Sequence, residues 1–170
     1  MFTAHPEIEI VNLYLVRHGQ AKSETSDPER PLTEAGAETA TRVARFLGQG
    51  EHLSVAEIRH STKRRARQTA EIFAAEAGLQ APLLETPGLE PMADVGANAA
   101  ELSHLSHDLM IVGHLPHLSR LASLLVAGNA NVEAFSFREC SVLHLRREEG
   151  GPREVWRVVW LLSPGLIGRH

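Results

Sequence analysis

Arg17-His18-Gly19 and Gly113-His114 each follow directly on a short apolar run, residues 13–16 and 109–112. Both runs are too short for helices and rich in strand formers. A third polar cluster, His60-Ser61-Thr62-Lys63-Arg64-Arg65, sits where a weaker strand pattern over 55–59 passes into a helical one. Ligands of open α/β sheets bind outside the carboxyl ends of the strands, so a parallel sheet would set all three clusters on one edge. Two imidazoles, two guanidinium forks and two helix N-termini would then meet at one point. Arginine forks match the oxygens of an oxyanion, and helix N-termini attract anions through unpaired N–H groups. A neutral imidazole is nucleophilic near pH 7 when one ring nitrogen is held as a donor and the other is bare. With no thiol cluster or acidic ligand set nearby, these residues read as a pocket for a phosphoryl group that needs neither metal nor cofactor.

The elements that must position these groups are also predicted by pattern. Thr33 is suited to cap a helix over 34–47, where Ala40, Val43, Ala44 and Leu47 recur at three and four residues and Gly48 and Gly50 stop it. A second helix over 62–77 carries Ala66, Ala70 and Phe73 on one face. A short strand over 83–85, a loop over 87–94 and a helix over 97–105 precede the strong strand at 109–112. Pro116 suits the first turn of a helix that runs to Gly128. Three strands follow, over 133–137, 141–146 and 154–162, the last two separated by a turn over 148–152. Trp156 and Trp160, four apart in the last strand, are expected on one face, as core or sheet cover. Alternating strands and helices followed by paired strands predict an α/β fold, a three-layer αβα sandwich whose mostly parallel central sheet has an antiparallel addition. Residues 1–170 read as a single domain, with 1–11 a leader and 163–170 a tail.

Bulk properties narrow the function. The net charge of −4 argues against a general binder of nucleic acid or of an anionic membrane. Cys140 is the sole cysteine, which excludes an internal disulfide and fits a reducing compartment. Residues 1–10 hold no apolar signal core, and the most apolar run, 121–127, is far short of a membrane span. A soluble, cytoplasmic monomer is expected. His104, His107, His114 and His117 are divided by the strand at 109–112 and carry no acidic or thiol companion, so no metal site is assigned. His117 reads as a helix-surface residue or a pocket wall.

Four blocks, in order, make the reading specific: Leu15-Val16-Arg17-His18-Gly19-Gln20-Ala21; Arg30-Pro31-Leu32-Thr33 with Gly36; Ser61 with Arg65-Ala66 and Gln68-Thr69; and Gly113-His114 with Pro116. Over about 13–164 the chain resembles the SixA-type phosphohistidine phosphatases of the histidine phosphatase superfamily. The resemblance implies the phosphoglycerate mutase-like fold, with His18 as the nucleophile that forms a covalent phosphohistidine. It also implies that Arg17, Arg65 and His114 hold the phosphoryl oxygens. The backbone N–H of Leu115 is a further candidate donor, and Arg30 and Gln20 are candidate substrate contacts. His60 and Thr62 depart from the pattern, where a small residue and a proline are usual.

A looser fifth block, Leu89-Glu90-Pro91 with Asp94, covers the region where larger members carry an acidic proton donor. Glu90 and Asp94 are therefore the candidate general acids, or else loop carboxylates that cap the helix near Val95. The SixA type is thought to lack a dedicated acid, and imidazole leaves phosphorus far more readily than an alkoxide. The implied function is removal of phosphate from phosphohistidine on a partner protein, such as a histidine-phosphotransfer or phosphocarrier domain. Alternatives are a phosphatase of small phosphoester metabolites and a phosphate-binding module without turnover. Lys63, Arg64 and Arg67 read as a solvated helix start.

Overall fold

The computed structural model describes residues 9–50, 53–148 and 155–168. Most of the expected leader, the turn beyond Glu148 and the end of the tail lie outside them. Strand β1 (Ile10–Arg17) is buried on both faces, so its sequence is a near-continuous apolar run rather than an alternation. Leu13 and Leu15 face one core with Leu109 and Ile111 of β4 (Leu109–Gly113). Tyr14 and Val16 face the other with Met110 and Val112. β1 pairs with β4 in parallel, β4 with β2 (Glu57–His60), and β2 with β3 (Leu83–Glu85). On the other side β5 (Val142–Glu148) runs antiparallel to β1, and β6 (Arg157–Leu162) antiparallel to β5. The order is β3-β2-β4-β1-β5-β6. Helices α1 (Glu34–Gln49) and α2 (Arg64–Glu76) cover the Tyr14 face, and α3 (Val95–Leu102) and α4 (His117–Ala127) the Leu13 face. The three-layer sandwich with a mixed sheet is as expected.

Thr33 caps α1, its hydroxyl accepting the Gly36 N–H at 3.0 Å, and Ala40, Val43, Ala44 and Leu47 are buried as their spacing requires. Gly48 does not stop the helix. It lies inside it because a Cβ there would come within 2.8 Å of the Ala77 Cα, where α1 crosses the end of α2. Gly36 is tighter still, since its Cβ would meet the Gln20 carbonyl oxygen at 2.2 Å. That contact clamps α1 against the loop leaving β1.

The other departures have long-range causes. α3 begins at Val95 because the Asp94 carboxylate accepts the Gly96 N–H at 2.8 Å. It ends at Leu102 because Arg147 of β5 donates to the carbonyls of Leu102 and Ser103, each at 2.8 Å, and of Leu105. Residues 133–137 form no strand. Phe135 and Phe137 reach the core at strand-like spacing, but β4 and β5 already flank β1, and Arg17 takes the Phe137 carbonyl. The two tryptophans lie on opposite faces. Trp160 pairs with His144 and Val158 with Leu145, so one step on β5 matches two on β6 and the side-chain alternation inverts. Trp156 therefore packs in the Leu13-side core under Arg147, and Trp160 against Tyr14 and His144.

Adding a methyl at Gly36 forces α1 or the β1 loop to move, which costs about 1–3 kcal/mol as overpacking. Gly36→Ala should lower the thermal midpoint, whereas Gly165→Ala, with open space around it, should leave it unchanged; parallel thermal melts check the contrast.

Candidate active site

β1, β2 and β4 run parallel and in register, with Arg17 opposite Gly113 and His60 opposite Val112. The next residues, His18, Ser61 and His114, therefore leave the sheet at one edge. Backbone bonds fix them there. The His18 N–H donates to the Gly113 carbonyl (3.0 Å), Ser61 to Val112 (3.1 Å) and Cys140 to Arg17 (3.0 Å). The Gly19 N–H donates to Thr69 Oγ1 (3.0 Å), and that hydroxyl donates to the Arg65 carbonyl (2.8 Å). Thr69 thus ties the β1 loop to the first turns of α2.

His18 is buried, and its Nδ1 lies 2.6 Å from the Gly19 carbonyl oxygen. A carbonyl accepts only, so Nδ1 carries the proton and Nε2 is bare. Arg65 Nε donates to that Nε2 at 3.3 Å. The His114 ring stands 4.9 Å from the His18 ring, with its Nε2 2.7 Å from Ser61 Oγ. Burial pushes His18 down to about 4, the cations of Arg65, Arg17 and Arg30 adding to it against the pull of the Gly19 carbonyl. His114 falls to about 3, again chiefly through burial, with smaller contributions from His18, Arg65, His117 and Lys63. Both imidazoles are neutral at pH 7.

The surrounding charge is positive. Arg65 is 8% exposed and has no carboxylate partner among the described residues. Arg17 donates to the Phe137 carbonyl (2.8 Å) and lies 4.0 Å from Glu139. Arg30 adopts a left-handed backbone, φ 47°, and its Nε donates to the Lys22 carbonyl at 3.1 Å. It lines a cavity of about 340 Å³ with Arg65 and Lys63, where Glu24 and Glu29 stand without pairing to them. The geometry thus brings together His18, His114, Arg17, Arg65 and Arg30. Such a pocket can hold an oxyanion and present a lone pair of nitrogen to it.

Other candidates fall elsewhere. Gln20 accepts from Thr33 Oγ1 at 2.8 Å and lines a neighbouring groove. Leu115 occupies the turn from β4 to α4. Asp94 is engaged as the α3 cap. Glu90 accepts from Thr62 Oγ1 (3.0 Å) and the Gly88 N–H (2.8 Å). Desolvation opposes its ionisation, but these bonds, its own N–H and the Lys63 charge outweigh that and hold its carboxyl below the usual range. His117 is buried, not on the surface, and packs against Asn98 of α3. His107 pairs with Glu57, and among the described residues no three His, Cys, Asp or Glu side chains gather to hold a metal. The sequence motif carries Gln68 and Thr69 without revealing what they do. Gln68 accepts the Leu32 N–H at 2.8 Å, so both brace the loops around the pocket.

The model of the histidine phosphatase superfamily (branch 1) matches residues 13–93. An uncharacterised protein of Picosynechococcus sp. (strain PCC 7002) is 34% identical over 145 residues, 80% of this chain and 85% of that one. The chain belongs to the histidine phosphatase superfamily. Phosphohistidine phosphatase SixA of Escherichia coli is 29% identical over 123 residues, 69% of this chain and 76% of SixA. The structure of the protein histidine phosphatase SixA complexed with tungstate superposes with a TM-score of 0.79 at 26% identity, covering 92% of this chain and 99% of that one. A putative alpha-ribazole-5'-P phosphatase from Escherichia coli shares the fold at 18% identity, with a TM-score of 0.74, 91% of this chain and 97% of that one. This superfamily member is a phosphatase-type hydrolase.

His18, His114 and His144 are all buried neutral, the last held at about 4 by burial. Each binds a proton more readily unfolded than folded, so the stability they contribute is complete above about pH 6.5 and is lost as pH falls toward 4. Thermal midpoints should decline steeply between pH 6.5 and 4, and a His18→Asn, His114→Asn variant should decline less over that window.

Proposed function

We propose that the protein hydrolyses phosphohistidine on a partner protein through a covalent phosphoenzyme on His18, with no metal in the reaction. The supporting observation is the bare His18 Nε2 set 3.3 Å from Arg65 Nε in a pocket where Arg65 and Arg30 make no ion pair among the described residues. A phosphoryl group occupying that pocket replaces the missing anion. His18 Nε2 attacks phosphorus, the bond from phosphorus to the substrate imidazole breaks, and the departing imidazole takes a proton from solvent. Water then attacks the phosphoenzyme, releases inorganic phosphate and returns His18 to its neutral form. Arg17, Arg65, His114 and the Leu115 N–H hold the equatorial oxygens, and Arg30 adds positive charge at the pocket mouth. Their preset positions stabilise the charge that spreads over those oxygens in the transition state.

Glu90 separates substrate classes. An alkoxide leaving group requires a protonated donor, and general acids that work near pH 7 have raised pKa values. Glu90 is held ionised by Thr62 and Gly88, so the site suits a leaving group that needs little help. Imidazole is one. We assign the phosphorylated partner to the histidine-phosphotransfer or phosphocarrier type and the setting to the cytoplasm, with the enzyme acting as a monomer. No helix among the described residues is long and apolar enough to cross a membrane.

Hydrolysis of a phosphohistidine protein, an aryl phosphate and a sugar phosphate should be compared in wild type and variants. His18→Ala should abolish turnover with the fold intact by circular dichroism. Arg65→Ala should lower kcat by about 10²–10³-fold, the usual loss for one preset oxyanion donor. Glu90→Gln should leave phosphohistidine hydrolysis within about twofold. Fast turnover of the sugar phosphate alone, abolished by Glu90→Gln, would instead identify a metabolite phosphatase, and binding without turnover a non-catalytic module.

A further inference from the structure

Next to the phosphoryl pocket, a groove of about 1060 Å³ runs between α1 and the 3₁₀ turn Pro164–Leu166 that follows β6. Its lining starts at Arg17 and Gln20, on either side of the nucleophile in sequence, and continues through Arg42, Arg138 and Leu166. β6 points the same way as β1, each being antiparallel to β5, so its end lies on the catalytic edge of the sheet.

Two features distinguish this groove. Two of its three arginines are unpaired: neither Arg42 nor Arg138 makes an ion pair among the described residues, and Arg42 Nε is buried with no hydrogen-bond partner. Arg45, Arg59 and Arg67 are by contrast paired, with Glu76, Glu57 and Glu71, while Arg64 and Arg120, outside the groove, also make no ion pair among the described residues. The acid in the lining, Glu139, lies 4.0 Å from Arg17 and leaves the other two arginines uncompensated. The second feature is apolar exposure. Leu166 on the groove and Met92 in the loop after β3 are each 76% exposed, and both belong to segments on the catalytic edge. In a chain of net charge −4, unpaired positive charge and the two most exposed large apolar side chains thus stand on the catalytic edge. A small phosphoester bound at His18 would leave the far end of the groove, at Leu166, unfilled.

Resting on the phosphohistidine reading, we infer that this groove docks the phosphorylated substrate protein, an acidic segment of it lying against Arg42 and Arg138 with an apolar side chain on Leu166. Charge complementarity at such a rim acts mainly on encounter rate and partner choice, and salt screens it. The groove thus selects which phosphohistidine reaches His18 without taking part in the chemistry.

The probes are two synthetic peptides with a central phosphohistidine, one flanked by glutamates and one by lysines, beside free phosphohistidine. Wild type should show a KM about tenfold lower for the glutamate peptide at low salt, converging with the lysine peptide at high salt. Arg42→Glu with Arg138→Glu should remove or invert that preference while kcat and all kinetics on free phosphohistidine stay unchanged. The double lysine variant, Arg42→Lys with Arg138→Lys, should retain it, which separates charge from folding. Equal turnover of both peptides by wild type, or a preference that survives charge reversal, would overturn the docking assignment. So would a matching loss on free phosphohistidine, which would make the groove part of the phosphoryl site. A concentration-dependent dimer abolished by Leu166→Asp would assign the groove to a second copy instead. Failure on both peptides and on free phosphohistidine would overturn the reading beneath it, and the docking with it.

Discussion

A guanidinium buried without a carboxylate partner among the described residues governs this site. Removing a charge from water costs several kcal/mol unless a counter-charge and hydrogen bonds make up the loss. Arg65 is 8% exposed, and the polar partner its Nε meets is a neutral imidazole nitrogen of His18. Burial, with the Arg65 cation, keeps His18 and His114 unprotonated, so neither imidazole adds to the positive charge. An anion entering it relieves the uncompensated charge and at the same time meets a free nitrogen lone pair. Affinity for phosphate and nucleophilicity of His18 are consequences of one electrostatic arrangement.

The scaffold keeps that arrangement from collapsing. A free Arg65 would rotate toward solvent or toward Glu24 and Glu29. Its backbone is fixed because Thr69, one turn later on α2, bonds both the Arg65 carbonyl and the Gly19 N–H, and its Nε is engaged by His18 Nε2. β1 in turn is clamped by β4 and β5, and its exit loop is pressed by Gly36 of α1. Positions are thus fixed from the sheet, from α1 and from α2 at once. Fixed donors that need no reorganisation as charge develops are the main source of rate in such sites.

Much of this was legible in the sequence because the signals were local. The apolar run before Arg17-His18 and its counterpart before His114 announced parallel strand ends, and Thr33 announced its helix. The convergence of His18, Arg65 and His114 followed from strand direction alone. What escaped was set by partners far along the chain. The end of α3 depends on Arg147, more than forty residues away, and residues 133–137 lose their strand because Phe137 serves Arg17. The tryptophan pair departs from its spacing because one extra residue in β6 inverts the side-chain alternation, and no local pattern encodes a bulge. Gly48 resembles a stop by residue type alone, whereas its neighbour Ala77 explains it.

Chemical trapping addresses the central claim most directly. Enzyme mixed with excess phosphohistidine substrate, quenched in alkali within milliseconds and mapped by mass spectrometry and ³¹P NMR, should carry one acid-labile phosphate on His18, attached at Nε2. Phosphate on Nδ1 of His18, on His114, or on no residue while inorganic phosphate accumulates would contradict it.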